Sequence, residues 1–292
     1  MLRGEGVLEE LRALLREGGG EEVEVLYMRE RRGMSRFYRS NPHQGGEVAD
    51  ITLFLRTLLP GRGGSRVGVV SLHSLRRESL RSSLERSRAL ADAGEPVPDL
   101  SGLPSPQDAG SSLEGAPLEE LYDEETALFG PEERALVLSE VFAKAEARGQ
   151  RASGCLTTSQ GEMALVNSLG LERYAPFSLA DLSLIMEAGD RSSSGFACAC
   201  SRKVKDIDFE QCTARALEKC ALGREPRALE PGSYRVILEP PAVAELLIWL
   251  ALTGFGAKAY LEGRAFSSGR LGERVTGERV PIRDDALEPR CL

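Results

Sequence analysis

The amino-acid sequence predicts an α+β protein made of three units and one linker. We expect a small α/β N-terminal domain over residues 1–94 and a Pro/Gly-rich linker over 95–119. A middle domain with an antiparallel meander and helices is expected over 120–229, and the beginning of a β-rich C-terminal domain over 230–292. Three observations support this: apolar alternation with period two, apolar stripes with helical spacing, and a proline-rich stretch between them.

The N-terminal unit is predicted to contain a helix, three strands and a second helix. Residues 2–17 carry apolar side chains at helical spacing, and the glycine triplet that follows is expected to end this helix. The segments EVEVLYM, ADITLFLRTL and SRVGVVSL are strand-like in pattern and composition, and are predicted as strands. Helical spacing of leucines predicts the second helix over 77–93.

The linker is identified by its composition. Residues 95–119 contain five of the fifteen prolines and show no apolar period. A structureless stretch of this length is unusual inside a compact domain, so a linker or a long wrapping loop is predicted.

The middle unit is predicted to open with a helix that begins at Pro131 and ends at Gly149. Four short apolar stretches follow: RASGCLTT, GEMALVNS, FSLADLSLIMEAG and GFACACSRKV. They are separated by SQG, NSLG and GDRSSSG, which have the composition of turns. An antiparallel meander is therefore expected, closed by the helix FEQCTARALEKCAL.

The third unit is predicted to begin near Pro231 with a strand from Tyr234 to Glu239 and a buried helix, PPAVAELLIWLALTGF. From Gly263 onward, loop and short strand are expected. A helix that is apolar nearly all round needs neighbours on every side. The residues after it are few, so we expect uncovered apolar surface on the helix, chiefly at Leu246, Leu247, Trp249 and Leu250.

Charge and hydropathy exclude several classes of protein. The chain has 37 Lys and Arg against 45 Asp and Glu, a net charge of −8, which disfavours nucleic acid and anionic membrane as partners. The most apolar run, 242–255, contains Glu245 and is too short to span a bilayer. The N-terminus lacks the apolar core of a signal peptide. A soluble, cytoplasmic protein is expected.

The cysteines are predicted to be reduced and mostly buried. Cys212 and Cys220 share one stripe of a helix but lie about 12 Å apart along it, beyond disulfide reach. Cys198 and Cys200 alternate with alanines on one face of a strand. We interpret them as small hydrophobic residues in a reducing compartment.

No catalytic, cofactor-binding or metal-binding residue can be named from the residues alone. The stretch GRGGSRVG lacks the lysine of a phosphate-binding loop and is predicted as a tight turn. The chain has two histidines, His43 and His73, and no nucleophile elbow, so a catalytic triad is unsupported. His43, beside two glycines, is the better functional candidate of the two, although a turn or surface histidine is the default interpretation.

Four segments, taken in order, resemble one known family. They are RFYRSNPHQ, LYDEETALFGPEERA, ASGCLTTSQGEMALVNSLG and the run from LEPGSYRVILEPP to VPIRDD. Together they are similar to the TldD/PmbA family of metallopeptidase-type proteins, which are also labelled modulators of DNA gyrase. The resemblance covers almost the whole chain and is strongest in the last segment, which is similar to the opening of the family's C-terminal domain.

The resemblance also implies which branch of the family this is. The catalytic branch carries an H-E-x-x-x-H motif on the helix after this strand, where two histidines approach one zinc and the glutamate acts as base. The equivalent stretch here is Ile248, Trp249, Leu250, Ala251, Leu252 and Thr253, which cannot bind zinc in that way. The chain is therefore similar to the PmbA/TldE branch, and zinc is expected only in a TldD-like partner.

The resemblance implies a non-catalytic PmbA/TldE-like subunit of a cytoplasmic metallopeptidase that acts on unstructured peptides or small proteins. Its partner would be a TldD-like catalytic subunit in a heterodimer, or a second copy of itself. The alternative is a stand-alone binding or regulatory protein that keeps the fold without proteolysis. A peptidase using other chemistry is a third hypothesis, disfavoured by the two histidines. Family members run further than this chain, so its C-terminal domain is expected to be incomplete, naturally or as a fragment.

Overall fold

The computed structural model describes residues 4–98, 100–108 and 120–285. The chain divides after Glu225 into two compact units. The first unit is built on a seven-stranded antiparallel sheet with the strand order β4-β3-β2-β1-β5-β6-β7. Its strands are β1 (Glu22–Tyr38), β2 (Asn41–Gly61), β3 (Gly64–Leu72), β4 (Val97–Pro98), β5 (Gln150–Asn167), β6 (Glu172–Ala188) and β7 (Ser194–Ser201).

Helices cover one face of this sheet. Leu156 and Ala164 belong to different core clusters but are separated by an even number of positions in β5, so both point to the same face. One cluster contains side chains of the first two helices, and the other contains side chains of the two long later ones. The helices of this unit are α1 (Glu5–Glu17), α2 (Arg77–Ala93), α3 (Glu124–Leu128), α4 (Pro131–Ala147) and α5 (Phe209–Leu222), with a 3-10 turn at Val204–Asp206.

The first unit repeats one arrangement, a helix, three antiparallel strands and a second helix. The same shift in residue number leads from Leu11 of α1 to Leu138 of α4 and from Gly68 of β3 to Gly195 of β7. A Cβ at Gly68 would lie 1.8 Å from the carbonyl oxygen of Ser87 in α2, and one at Gly195 would lie 2.2 Å from that of Ala216 in α5. In both halves, glycine lets the second helix pack directly on the third strand.

The expected N-terminal and middle domains share one sheet. Strand β1 pairs with β5 from Glu24↔Asn167 to Phe37↔Gly154, which joins the two halves across the centre. The two units predicted over 1–94 and 120–229 therefore contribute strands to the same sheet. Apolar alternation identifies a strand but does not reveal its partner, which is why this pairing was missed.

The stretches RASGCLTT and GEMALVNS form one continuous strand, β5, instead of two strands joined by a turn. The glycine that suggested a turn, Gly161, has another role. A Cβ there would lie 2.4 Å from the carbonyl oxygen of Arg29 and from the ring of Phe177, so glycine permits close packing between neighbouring strands.

Strands β1 and β2 extend beyond their apolar cores into a polar hairpin. Arg39 and Ser40 connect them with φ values of 50° and 61°, in the left-handed region used by tight two-residue turns. The backbone N–H of Ser40 donates to the carbonyl oxygen of Ala152 at 2.7 Å. His43, expected in a loop, therefore lies in β2.

Two sequence expectations fall partly outside the described residues. The predicted helix over 2–17 is observed as α1 from Glu5, and residues 2–3 are not described. Residue 99 and residues 109–119 of the predicted linker are likewise not described. The described part of the linker packs on the first unit: Val97 and Pro98 pair with β3, and the N–H of Leu103 donates to Oε2 of Glu22.

The second unit contains short helices: α6 (Pro240–Leu250), a π-helical turn (Ala251–Phe255) and α7 (Ala257–Leu261). The strand expected from Tyr234 to Glu239 is not formed, and none of the described residues from 226 to 285 lies in a strand. A strand needs a partner for its backbone N–H and C=O groups, and none of the described residues of this unit pairs with this segment. The start of a β-rich domain is thus not seen in this part.

The helix expected to be buried is exposed. No residue of α6 is buried, and Leu246 and Trp249 keep 59% and 61% of their surface accessible. The expectation of uncovered apolar surface is confirmed for these residues. None of the helices in the described ranges is long and apolar enough to cross a membrane.

Acid should weaken the contact between α1 and α2. Glu17 accepts hydrogen bonds from Arg77 at 2.8 Å and from Arg81 at 2.6 Å, which lower the pKa of its carboxyl from 4.5 to about 2. The stability that Glu17 contributes is therefore present above pH 4.5 and is lost as the pH falls towards 2. In denaturant titrations, the difference between wild type and Glu17→Gln should stay constant above pH 5 and shrink below pH 4. A pH-independent difference would contradict this.

Candidate functional site

The stretch from Ile248 to Thr253, where the resemblance places the metal motif of the catalytic branch, spans the end of α6 and the π-helical turn. Pro240 and Pro241 start this helix, where their missing N–H groups cost nothing. Ile248, Trp249 and Leu252 are 55%, 61% and 67% exposed. The segment thus presents a contiguous apolar surface.

The polar groups near this segment are used within the helix. Trp249 Nε1 donates to Oε1 of Glu245 at 3.3 Å, and Thr253 Oγ1 donates to the carbonyl oxygen of Trp249 at 2.7 Å. Neither a tryptophan nor a threonine that bonds to its own helix backbone supplies a zinc ligand of the usual kind. The chemistry of this surface is that of packing against another apolar surface.

The π-helical turn is held by the loop that follows it. A Cβ at Gly254 would lie 2.3 Å from the ring of Phe266, and Ser267 Oγ donates to the carbonyl oxygen of Gly254 at 2.7 Å. The rings of Phe255 and Phe266 meet edge to face with centroids 5.5 Å apart. Single π-helical turns inside α-helices occur often at functional positions, and this one shapes the end of the apolar surface.

The two histidines do not come together. His43 lines an open cavity of about 570 Å³ with Arg39 and Arg151. His73 Nδ1 lies 3.0 Å from the carbonyl oxygen of Ile51, which is at the middle of β2, well beyond His43 along the strand. Strand geometry separates them by about 30 Å. Within the described ranges, no group of three or more His, Cys, Asp or Glu residues could hold a metal ion.

The cysteines are divided between core and surface. Cys212 and Cys220 of α5 are buried as expected, and burial raises the pKa of the Cys212 thiol to about 11. Cys198 and Cys200 are exposed, because they lie on the face of β7 opposite to the helices. Burial and the nearby Asp181 raise the pKa of the Cys200 thiol, which disfavours a reactive thiolate. The expectation of burial is wrong for this pair.

The structure contains a buried polar centre that the sequence pattern does not reveal. Glu162 of β5 accepts hydrogen bonds from the hydroxyls of Tyr27 at 2.9 Å and Tyr174 at 2.8 Å, and Arg29 Nη1 lies 3.7 Å away. Glu162 lies two residues before the buried Ala164 in the same strand and therefore points to the same, buried face of the sheet. That spacing is the sequence feature that could have indicated a buried glutamate. Burial and the carboxylate raise the pKa of Tyr27 well above its usual value. This centre ties three strands together on the helix side of the sheet.

The architecture has solved counterparts. Protein TM0727 of Thermotoga maritima superposes with a TM-score of 0.70 at 15% identity, over 91% of this chain and 60% of that one. TldE of Thermococcus kodakarensis gives a TM-score of 0.66 at 18% identity, over 90% of this chain and 59% of that one. Protein BT3649 of Bacteroides thetaiotaomicron gives 0.72 at 17% identity, over 94% and 62%. The names of the first and third describe modulators of DNA gyrase.

Residues 231–292 match the model of the PmbA/TldA metallopeptidase C-terminal domain. This match and the shared fold of the solved proteins support a relationship to the TldD/PmbA family. Within curated sequences, it is similar to the uncharacterized protein MJ0231 of Methanocaldococcus jannaschii, with 28% identity over 137 residues. That match covers 46% of this chain and 31% of MJ0231, and the chain spans about 60% of the length of the solved family proteins.

Proposed function

We propose that this chain is a PmbA/TldE-like, non-catalytic subunit of a TldD/PmbA-type metallopeptidase that acts in the cytoplasm on unstructured peptides or small proteins. Its role is to bind a TldD-like catalytic subunit and to contribute surface for the peptide. The zinc of the assembly belongs to that partner.

One observation carries the proposal. By the resemblance, the stretch from Ile248 to Thr253 corresponds to the family's metal motif, yet it holds no histidine or acid and is largely exposed and apolar. An apolar helix of this kind gains free energy when a partner covers it. Tryptophan is the residue type that most often dominates the energy of such an interface.

The partner is expected to cover α6. We expect the chain to form a one-to-one complex with a TldD-like protein that carries H-E-x-x-x-H. Trp249→Ser should weaken that complex by about tenfold or more, because truncating a central aromatic anchor removes about 2 kcal/mol of binding free energy. Light scattering and titration calorimetry of the mixed chains would measure both effects. A matched control is Leu136→Ser, which removes an exposed leucine from α4.

Metal analysis and peptidase assays complete the test. We expect zinc and chelator-sensitive cleavage of an unstructured peptide only in samples that contain the TldD-like chain. Failure of the two chains to associate would favour a stand-alone binding protein. One tightly bound zinc per copy of this chain, with cleavage by the chain alone, would overturn the non-catalytic assignment.

A further inference from the structure

A pocket of about 210 Å³ lies where β1 pairs with β5, at the start of α4. Its walls come from both central strands, from β2, and from residues 126–131, which lead from α3 into α4. The charged side chains that line it are Arg31, Glu47 and Arg134. All its other lining residues are uncharged.

Arg134 is the unusual member of this pocket, because its side chain is only 2% exposed. Nε donates to Oγ of Ser35 at 3.1 Å, and Nη1 donates to Oγ1 of Thr158 at 2.8 Å and to the carbonyl oxygen of Phe129 at 3.1 Å. Every one of these acceptors is neutral. Within the described ranges, no carboxylate forms an ion pair with Arg134, and Nη2 makes no hydrogen bond.

Burying a guanidinium that has no carboxylate bonded to it costs free energy. An apolar side chain at the same position would fill the space without that cost. The shift in residue number that relates the two halves of the unit makes Val7 of α1 the equivalent of Arg134 in α4. Val7 is fully buried. An apolar side chain therefore serves this helix position in the first half. Position 33 is also adapted to the charge: a Cβ at Gly33 would lie 2.5 Å from Nη1 and 2.9 Å from Nη2 of Arg134.

The carboxylates nearest to the pocket are already engaged. Glu47 accepts a hydrogen bond from Arg31 at 2.5 Å, and Glu133 Oε2 accepts one from the N–H of Gly130 at 2.9 Å. Arg31, Glu47 and Arg134, the charged side chains that line the pocket, sum to one positive charge, and Glu133 outside the lining attracts Arg134 through space without bonding to it. Burial lowers the pKa of Arg134, but an arginine in a protein stays protonated. The N-terminus of α4, a helix of 17 residues, adds partial positive charge at the same place.

We propose that this pocket binds a small carboxylate, with Nη2 of Arg134 as the principal donor. One excess positive charge suits a monoanion better than a phosphate dianion. The volume is below the range of about 300–1,000 Å³ that is typical of drug-sized ligands, so the site suits a single carboxylate-bearing group. Such a group is either a free organic acid or the C-terminal residue of a peptide. This inference does not depend on the proposed subunit role.

The wild-type chain provides the first test. In amide NMR titrations, N-acetylalanine should cause saturable shifts at Gly130 and Thr158, and N-acetylalaninamide, which lacks the charge, should not. Acetate in a parallel titration distinguishes the two sources: equal affinity indicates a free acid, and weaker acetate binding indicates a peptide end. No saturable shift with any carboxylate, or equal shifts with the amide, would overturn the proposal.

Two variants should change the affinity in opposite directions. Arg134→Met should abolish the saturable shifts, and Arg148→Met, at the exposed end of α4, should leave them unchanged. Glu47→Gln removes the negative charge that lines the pocket and should tighten N-acetylalanine binding by roughly threefold to tenfold. Glu146→Gln makes the same charge change on an exposed part of α4 and should have little effect.

Glu47 lies at the surface, so Glu47→Gln is expected to fold. This variant therefore tests the proposal even if Arg134→Met does not fold. Binding that is unchanged by Glu47→Gln, or that responds equally to Glu146→Gln, would show that the pocket does not hold the carboxylate. Tighter binding of inorganic phosphate than of N-acetylalanine would overturn the assignment to a monoanion.

Discussion

Gly195→Ala should lower the free energy of unfolding by about 3 kcal/mol or more. The added Cβ would lie 2.2 Å from the carbonyl oxygen of Ala216 and 2.4 Å from the backbone nitrogen of Cys220. Both are backbone atoms of α5, so relief requires the whole helix to move away from β7. That movement would open the buried contacts of Ala216 and Cys220 in the core. Chemical denaturation followed by circular dichroism would measure the loss.

Gly46→Ala is the matched control. Gly46 also lies in a strand, but an added Cβ there meets no atom within 4 Å. The change should be neutral or stabilise the chain by up to about 1 kcal/mol, because alanine restricts the unfolded chain. Equal effects of the two substitutions would show that α5 does not pack on β7 as described.

Glu162→Leu should lower the free energy of unfolding by about 3 kcal/mol, because it removes the acceptor of the buried Tyr27 hydroxyl. Tyr27 is fully buried, and its hydroxyl donates to Oε1 of Glu162 at 2.9 Å. Tyr27→Phe alone should cost less, and the double variant should be less destabilised than the sum of the two. Such non-additivity is the signature of a direct contact.

Exposed Glu140→Leu in α4 is the control and should change stability by less than about 0.5 kcal/mol. Alkaline titration gives a second readout. Because the pKa of Tyr27 is raised above its ordinary value of 10.0, its contribution to stability is present below pH 10 and is lost as the pH rises further. At about pH 11, where a tyrosine of ordinary pKa is mostly ionised, tyrosinate absorbance equal to that of all six tyrosines in the folded protein would contradict the buried contact.

The helices were the most predictable elements. The expected helix over 77–93 and the expected helix FEQCTARALEKCAL coincide with α2 and α5. Their apolar stripes, with glycine after each end, are local signals that need no knowledge of the rest of the chain. The resemblance to the TldD/PmbA family was also visible in the residues, and the match of residues 231–292 to the family's C-terminal domain model supports it.

The candidate sites differ in how far they could be foreseen. That Ile248, Trp249 and Thr253 cannot bind zinc follows from residue type alone. The pocket at Arg134 could not be foreseen, because Gly33, Glu47 and Thr158 come from three strands that are distant in sequence. Glu162 could have been suspected from its phase in the strand, but its tyrosine partners depend on the register of β1 and β6.

The α+β class, the positions of the long helices and the lack of zinc ligands at Ile248–Thr253 follow from residue type and local periodicity. Contacts between distant segments are needed to establish that the two halves share one sheet, that Ser159–Gly161 continue a strand, and that residues 234–239 form none. The same contacts set which face of β7 the cysteines occupy. Strand pairing depends on hydrogen bonds between segments far apart in sequence, and a local pattern carries no information about which segments will meet.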